Sequence, residues 1–291
     1  HVLPIGDRVT SEVLPAGMYS HLLSSKHNGV LTSPRFLFDM KSIYVRIQGE
    51  GGAKARYVVQ NYPRSGTVYP VHTIKGGVSR WVRWNTAYWQ GDRGYLELST
   101  AADQAVENDR KATRSWFGIS RAVLVSVEQE KRGEVPADEA AEFVAPIFQA
   151  LEMGACVSFA DVERGYALAL RTCVRAFGRG AMSDEQARFL GFFVRHGLLP
   201  VKFLELPKLA NEVARYRRLE AAVPIPRRAP GVLEAEPFDQ PLFLRGEHKR
   251  PGQPVRRRFL AAIDDSPYET AHEKRTVFLF FSVFVHDFIL R

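Results

Sequence analysis

Ile43-Tyr44-Val45-Arg46-Ile47-Gln48-Gly49-Glu50-Gly51-Gly52 is the stretch on which the fold turns. Ile43, Val45 and Ile47 alternate with Tyr44, Arg46 and Gln48, the period of a strand with one buried face. The glycines then stop it. The pattern recurs downstream. Ala55 to Tyr62 is rich in β-formers and is stopped by Pro63 and Ser65-Gly66. Thr67 to Ile74 ends at Gly76-Gly77; Arg80 to Thr86, Gly94 to Ser99 and the long apolar run Trp116 to Val127 follow. Strands at near-regular spacing, with turn signals between them, predict an antiparallel β-sandwich of jelly-roll or galactose-binding-like form over residues 1–130.

Past that point the period lengthens. Pro136 suits a helix start, with Asp138 and Glu139 in the first turn, where the helix dipole favours acids. Phe143, Ile147 and Leu151 then recur at four-residue steps. Ser158 with Asp161, and Ser183 with Gln186, have the spacing of capping boxes. The first leads a helix to Gly178, the second a helix to Gly197 with Phe189, Leu190, Phe193 and Val194 inside it. Pro207 opens a fourth, with Leu209, Val213, Tyr216 and Leu219 on one side. These predict a small helical bundle over 131–222. From 223 to 291 the chain is an extended arm, with prolines at 224, 226, 230, 237, 241, 251 and 254 and one strand-like run, Gln240 to Arg245. The fold class is therefore α+β, in several domains.

The composition fits packed domains: 291 residues, 45% hydrophobic and 25% charged, which excludes a disordered or collagenous chain. The net charge of +8 is uneven. Residues 1–127 hold 16 Lys/Arg against 9 Asp/Glu, a net +7, whereas 128–222 hold 13 against 14. A basic first segment favours anionic partners such as acidic polysaccharide. Its cations are dispersed, as on an ordinary solvated surface, and Arg256-Arg257-Arg258 is too short to argue for nucleic acid. Cys156 and Cys173 make no Cys-x-x-Cys, so attachment of c-type haem and a multi-cysteine zinc site are excluded. They read as two separate buried thiols, with one disulfide as the alternative. The chain opens on His1 with no signal segment, and closes on the apolar run Val277 to Val285, far short of the roughly 20 residues of a membrane span. Both ends read as those of a piece of a longer protein.

The aromatic group Trp81, Trp84, Tyr88 and Trp89 is the most informative candidate site. Trp81 and Trp84 differ by an odd number, so one strand points them to opposite faces. An exposed Trp or Tyr stacks on a sugar ring, and Asn61, Tyr62, Arg83 and Asn85 would supply directional hydrogen bonds. Against this stands plain core or turn packing. Asp92, Glu97 and Asp103 match no EF-hand and read as solvated turn acids, not as a calcium site. His21, His27 and His72 share the β-rich segment, and Ser24 and Ser25 lie near His27, without a third group to complete a triad. No His-Glu-x-x-His, Gly-x-Ser-x-Gly or phosphate-binding glycine loop occurs. The basic stretch Arg245, His248, Lys249 and Arg250 reads as the polar rim of an interdomain contact. The residues thus predict no catalytic group, no metal and no cofactor in this chain.

Three stretches carry a resemblance. They are Leu23-Ser24-Ser25-Lys26-His27-Asn28-Gly29-Val30-Leu31-Thr32-Ser33-Pro34-Arg35-Phe36, then Gly49 to Arg56 running on to Asn61-Tyr62, then Phe243-Leu244-Arg245-Gly246-Glu247-His248-Lys249-Arg250-Pro251-Gly252-Gln253-Pro254-Val255 running on to Arg258-Phe259-Leu260. Over residues 20 to 270 the chain resembles the middle and the start of the C-terminal module of large planctomycete-type exported proteins. These carry domains of unknown function, often with a planctomycete-type cytochrome c module upstream. The resemblance implies an extracytoplasmic, periplasmic or secreted setting and haem only on an upstream domain that this chain lacks. After His272 the family would continue into its C-terminal module; the apolar tail departs from it and reads as a truncation or an altered frame. The expected role is a non-catalytic accessory fragment whose sandwich recognises glycan or a protein surface. Its partners would be the missing domains of the parent and polysaccharide, with no nucleic acid and no membrane span. The alternative is a scaffold within a cytochrome-c-associated redox or polysaccharide-degrading enzyme.

Overall fold

The computed structural model describes residues 8–10, 12–60, 66, 68–104, 114–136, 140–152, 158–225, 239–247, 249–256, 262–263 and 266. The chain divides into two compact units, His1–Arg228 and Ala229–Arg291.

Among the described residues of the first unit nine strands precede the helices: β1 (Met18–Tyr19), β2 (Val30–Thr32), β3 (Phe36–Leu37), β4 (Ser42–Glu50), β5 (Lys54–Val59), β6 (Val71–Thr73), β7 (Arg80–Asn85), β8 (Arg93–Ser99) and β9 (Trp116–Val125). They form two antiparallel sheets. One has the order β1-β9-β4-β7; the other has the order β2-β8-β5-β6, with β3 also on β8. From β4 to β5, and again from β7 through β8 to β9, the chain passes from one sheet to the other. The tight β4–β5 connection needs Gly51 (φ 68°) and Gly52 (φ 82°), in the left-handed region that glycine tolerates.

One core joins the sheets. Ile43, Val45, Ile47, Val82, Trp84 and Phe117 come from the first sheet, and Ala55, Tyr57, Val59, Leu96 and Leu98 from the second. The alternation in β4 is as expected, but its polar side is not solvated: Tyr44, Arg46 and Gln48 are buried as well. β4 is an inner strand, and its second face lies under other side chains.

Among the described residues five α-helices follow: α1 (Val127–Lys131), α2 (Ala140–Glu152), α3 (Phe159–Gly178), α4 (Asp184–Arg195) and α5 (Ala210–Ala222). Both expected capping boxes form. Ser158 Oγ accepts from the Asp161 amide, Ser183 Oγ accepts from the Gln186 amide, and each partner side chain accepts from the cap amide in return. A third box, Ser126 with Gln129, starts the short helix α1, which the apolar run before it conceals in the sequence. Pro207 lies in a single 3₁₀ turn that leads into α5. A second core gathers Ile147, Ala169, Cys173, Ala187, Phe189, Leu190 and Val194 from α2, α3 and α4, together with Val13 and Val201. Gly165 lets α3 approach α2: a Cβ there would sit 2.6 Å from Leu151 Cδ2. Cys173 is a free thiol, and burial pushes its pKa up to about 11. Cys156, Asp138 and Glu139 lie outside the described residues.

In the second unit β10 (Gln240–Phe243) pairs antiparallel with β11 (Pro251–Val255). Pro241 stands opposite Pro254, so neither offers an amide donor at that position.

Antiparallel sheets followed by packed helices make the chain α+β, as expected. Among the described residues no helix is long and apolar enough to cross a membrane.

Candidate functional site

The register of β7 on β4 sorts the aromatic group. Ile43 faces Trp84, Tyr44 faces Arg83, Val45 faces Val82 and Arg46 faces Trp81. Trp84 therefore shares the core side of the sheet with Ile43 and Val45. It is 5% exposed, with its ring edge-on to Tyr57 at 6.0 Å. Trp89 is 3% exposed; its Nε1 donates to the Val68 carbonyl at 2.8 Å and its ring lies 4.9 Å from Tyr69. These two tryptophans were expected among the sugar-stacking residues. Both present their area to the core instead, because the inner side of β7 and the 3₁₀ turn after it close the end of that core. Tyr88, half exposed on the same turn, sets its ring perpendicular to Trp89 at 4.7 Å. Asn85 uses its Oδ1 to accept from the Ala87 amide. Asn61 and Tyr62 lie outside the described residues.

Trp81 and Arg83 are the two candidates that the structure brings together. Two positions apart on β7, they share the outer side of the four-stranded sheet. Trp81 is half-buried. The Arg46 guanidinium carbon lies over its ring, 5.8 Å from the centroid, and its indole N–H has no hydrogen-bond partner. In the register of β4 and β9, Arg46 is opposite Arg121, which is exposed. One row across the sheet thus reads Trp81, Arg46, Arg121, and the next reads Arg83, Tyr44, Val123.

Glu130 at the end of α1 closes the second row. Its Oε1 accepts from Arg83 Nε at 2.8 Å and from the Tyr44 hydroxyl at 3.3 Å; its Oε2 accepts from Arg83 Nη2 at 3.1 Å, and Lys41 Nζ is 2.9 Å away. Arg83 foremost, and Lys41 with it, hold this carboxyl far below the ordinary carboxylate range. Arg83 is thereby fixed in place with its charge already matched, whereas the Trp81 indole N–H is buried without a partner. Arg46, Arg121, Tyr44 and Glu130 are not among the candidate site residues that the sequence offers. Their signal is the polar side of the β4 alternation, and only the register shows which residues of β7 and β9 lie beside it.

The other expected groups do not converge. Glu97 is buried and receives Arg56 Nε at 2.8 Å. Asp92 is buried and accepts from Gln60 Nε2 at 3.0 Å, and Asp103 accepts from the Thr100 hydroxyl. Glu97 and Asp92 are thus not solvated turn acids: the interior admits their charge because each has a donor. Among the described residues no group of three or more His, Cys, Asp or Glu could hold a metal ion. Ser24 donates to Glu220 at 2.5 Å instead of facing His27. His21 is buried and stacked on Trp116 at 3.8 Å; burial pushes its pKa down to about 4 and neither ring nitrogen has a partner. His72 is half-buried on β6, its pKa lowered by burial and by Arg80.

What remains is Trp81, partly open beside Arg46, with the exposed Arg121 in the same row. That arrangement can hold a ring by stacking and an anionic substituent by charge-assisted hydrogen bonds. No protein-family model, curated protein or solved structure matches this chain.

Proposed function

We propose that this chain is a non-catalytic binding piece of a larger exported protein. Its two sheets form a β-sandwich of jelly-roll kind, and the outer side of the β1-β9-β4-β7 sheet takes a glycan bearing acidic groups. The observation that carries the reading is Trp81, partly open on that side with the Arg46 guanidinium over its ring. Arg121 in the same row, and the net +7 of residues 1–127, favour an anionic sugar over a neutral one. The exported setting rests on the family resemblance, and the parent's remaining domains are the partners it implies.

The test is a tryptophan-fluorescence titration of the full chain with a panel of neutral and acidic glycans. Three of the four tryptophans, Trp84, Trp89 and Trp116, are buried, so a saturable change should come from Trp81. It should appear with acidic members of the panel and be absent from Trp81→Phe. A flat response across the panel removes the glycan reading.

A further inference from the structure

α3 has three sides, and only one is accounted for by the fold. Gly165, Ala169 and Cys173 are buried against α2 and α4. Beside them, among the described residues, runs an apolar stripe left largely exposed. Phe159 is 78% exposed, Val174 52%, Phe177 42% and Tyr166 38%. The stripe continues onto α4: the Tyr166 ring lies 6.3 Å from Phe193, whose neighbour Phe192 is 39% exposed. On the far side of the stripe Arg171 and Arg175 stand one turn apart, exposed. Among the described residues neither has an ion-pair partner, unlike Arg164, which pairs with Asp161.

We propose that this α3–α4 face is the docking site of an acidic amphipathic helix of another protein. Phe159, Tyr166, Leu170 and Phe177 succeed one another at steps of seven, four and seven residues. That is the seam spacing against which a second helix packs. The free arginines on its flank complement glutamates or aspartates on the visitor. A second copy of this chain fits less well, because pairing α3 with itself sets its arginine row beside another. An anionic bilayer would meet the same two arginines and is an outcome of the test below.

The experiment uses the full chain and two labelled synthetic helices of about 20 residues. Both carry Leu and Phe along the seam, one with Glu on its flanks and the other with Lys, and binding is read by fluorescence anisotropy. The glutamate peptide should bind at least about tenfold more tightly than the lysine peptide. The double variant Arg171→Glu/Arg175→Glu should reverse that preference. Phe177→Ser, at an exposed position, should weaken both peptides while leaving the melting temperature nearly unchanged. Equal binding of the two peptides, binding of neither, capture of phosphatidylglycerol vesicles in place of the acidic peptide, or self-association lost in Phe177→Ser would each overturn the proposal.

Discussion

Arg114 and Glu220, 106 positions apart, meet in a two-pronged ion pair: Nη1 lies 2.8 Å from Oε1 and Nη2 lies 3.2 Å from Oε2. The pair ties the approach to β9 to the last turn of α5. Lys26 reinforces it, its ammonium 3.0 Å from each of the carbonyl oxygens of Glu220, Ala221 and Val223, where the helix dipole is negative. Removing both charged partners in a double-mutant cycle, Arg114→Ala with Glu220→Ala, should give a coupling energy of about 1 kcal/mol from urea unfolding. Lys26→Met should cost about 1 kcal/mol and raise amide exchange in the last turn of α5 more than elsewhere.

Glu130 and Glu220 give the chain an acid-sensitive term. Both carboxyls titrate below their ordinary 4.5 in the folded chain, Glu220 at about 2 because of its hydrogen bonds from Arg114 and Ser24. A depressed folded pKa means stability that is present above 4.5 and lost as pH falls toward the folded value. Glu130→Gln should therefore cost about 1 kcal/mol near neutral pH, and the gap from the parent chain should close as unfolding is measured at successively lower pH.

Glu12 works in the opposite direction. Its carboxyl is 3.2 Å from Arg195, yet burial outweighs that cation and pushes the pKa up to about 7. A raised folded pKa makes its contribution fully present below 4.5 and lost as pH rises through about 7. Glu12→Gln cannot ionise. Its stability relative to the parent should rise between about pH 5 and pH 8, by about 2 kcal/mol in chemical unfolding.

His21 supplies a third pH dependence. Neutral and stacked on Trp116, it must lose that buried state to take a proton, so stability falls as pH drops from 6.5 toward about 4. His21→Phe keeps a ring on Trp116 and discards two unpartnered nitrogens. The variant should match or exceed the parent at pH 7 and exceed it clearly at about pH 5, as melting temperatures at the two values will show.

Local signals were legible in the sequence. Ser158 with Asp161 and Ser183 with Gln186 announce α3 and α4 because a capping box is complete within four residues. Period-two alternation likewise gives β4, and β-rich runs between turn signals give β7 and β8. β1 and β3, of two residues each, and β2, of three, are too short to show a period at all. The parity of Trp81 and Trp84 put them on opposite faces, but which face is the core depends on pairing with Ile43 and Arg46, which no local pattern encodes. Burial of Tyr44 and Arg46 is equally non-local, since one bonds Glu130 of α1 and the other packs over Trp81.

The central claim is that Trp81 and its neighbouring guanidinium groups hold an acidic glycan. Isothermal titration calorimetry of the full chain with a polyuronate oligosaccharide, beside Trp81→Ala and a control variant Tyr88→Ala of equal melting temperature, tests it most directly. The expected result is saturable heat for the parent and the control, with affinity falling about tenfold or more in Trp81→Ala. Heat that is unchanged in Trp81→Ala, or absent from the parent, would contradict it.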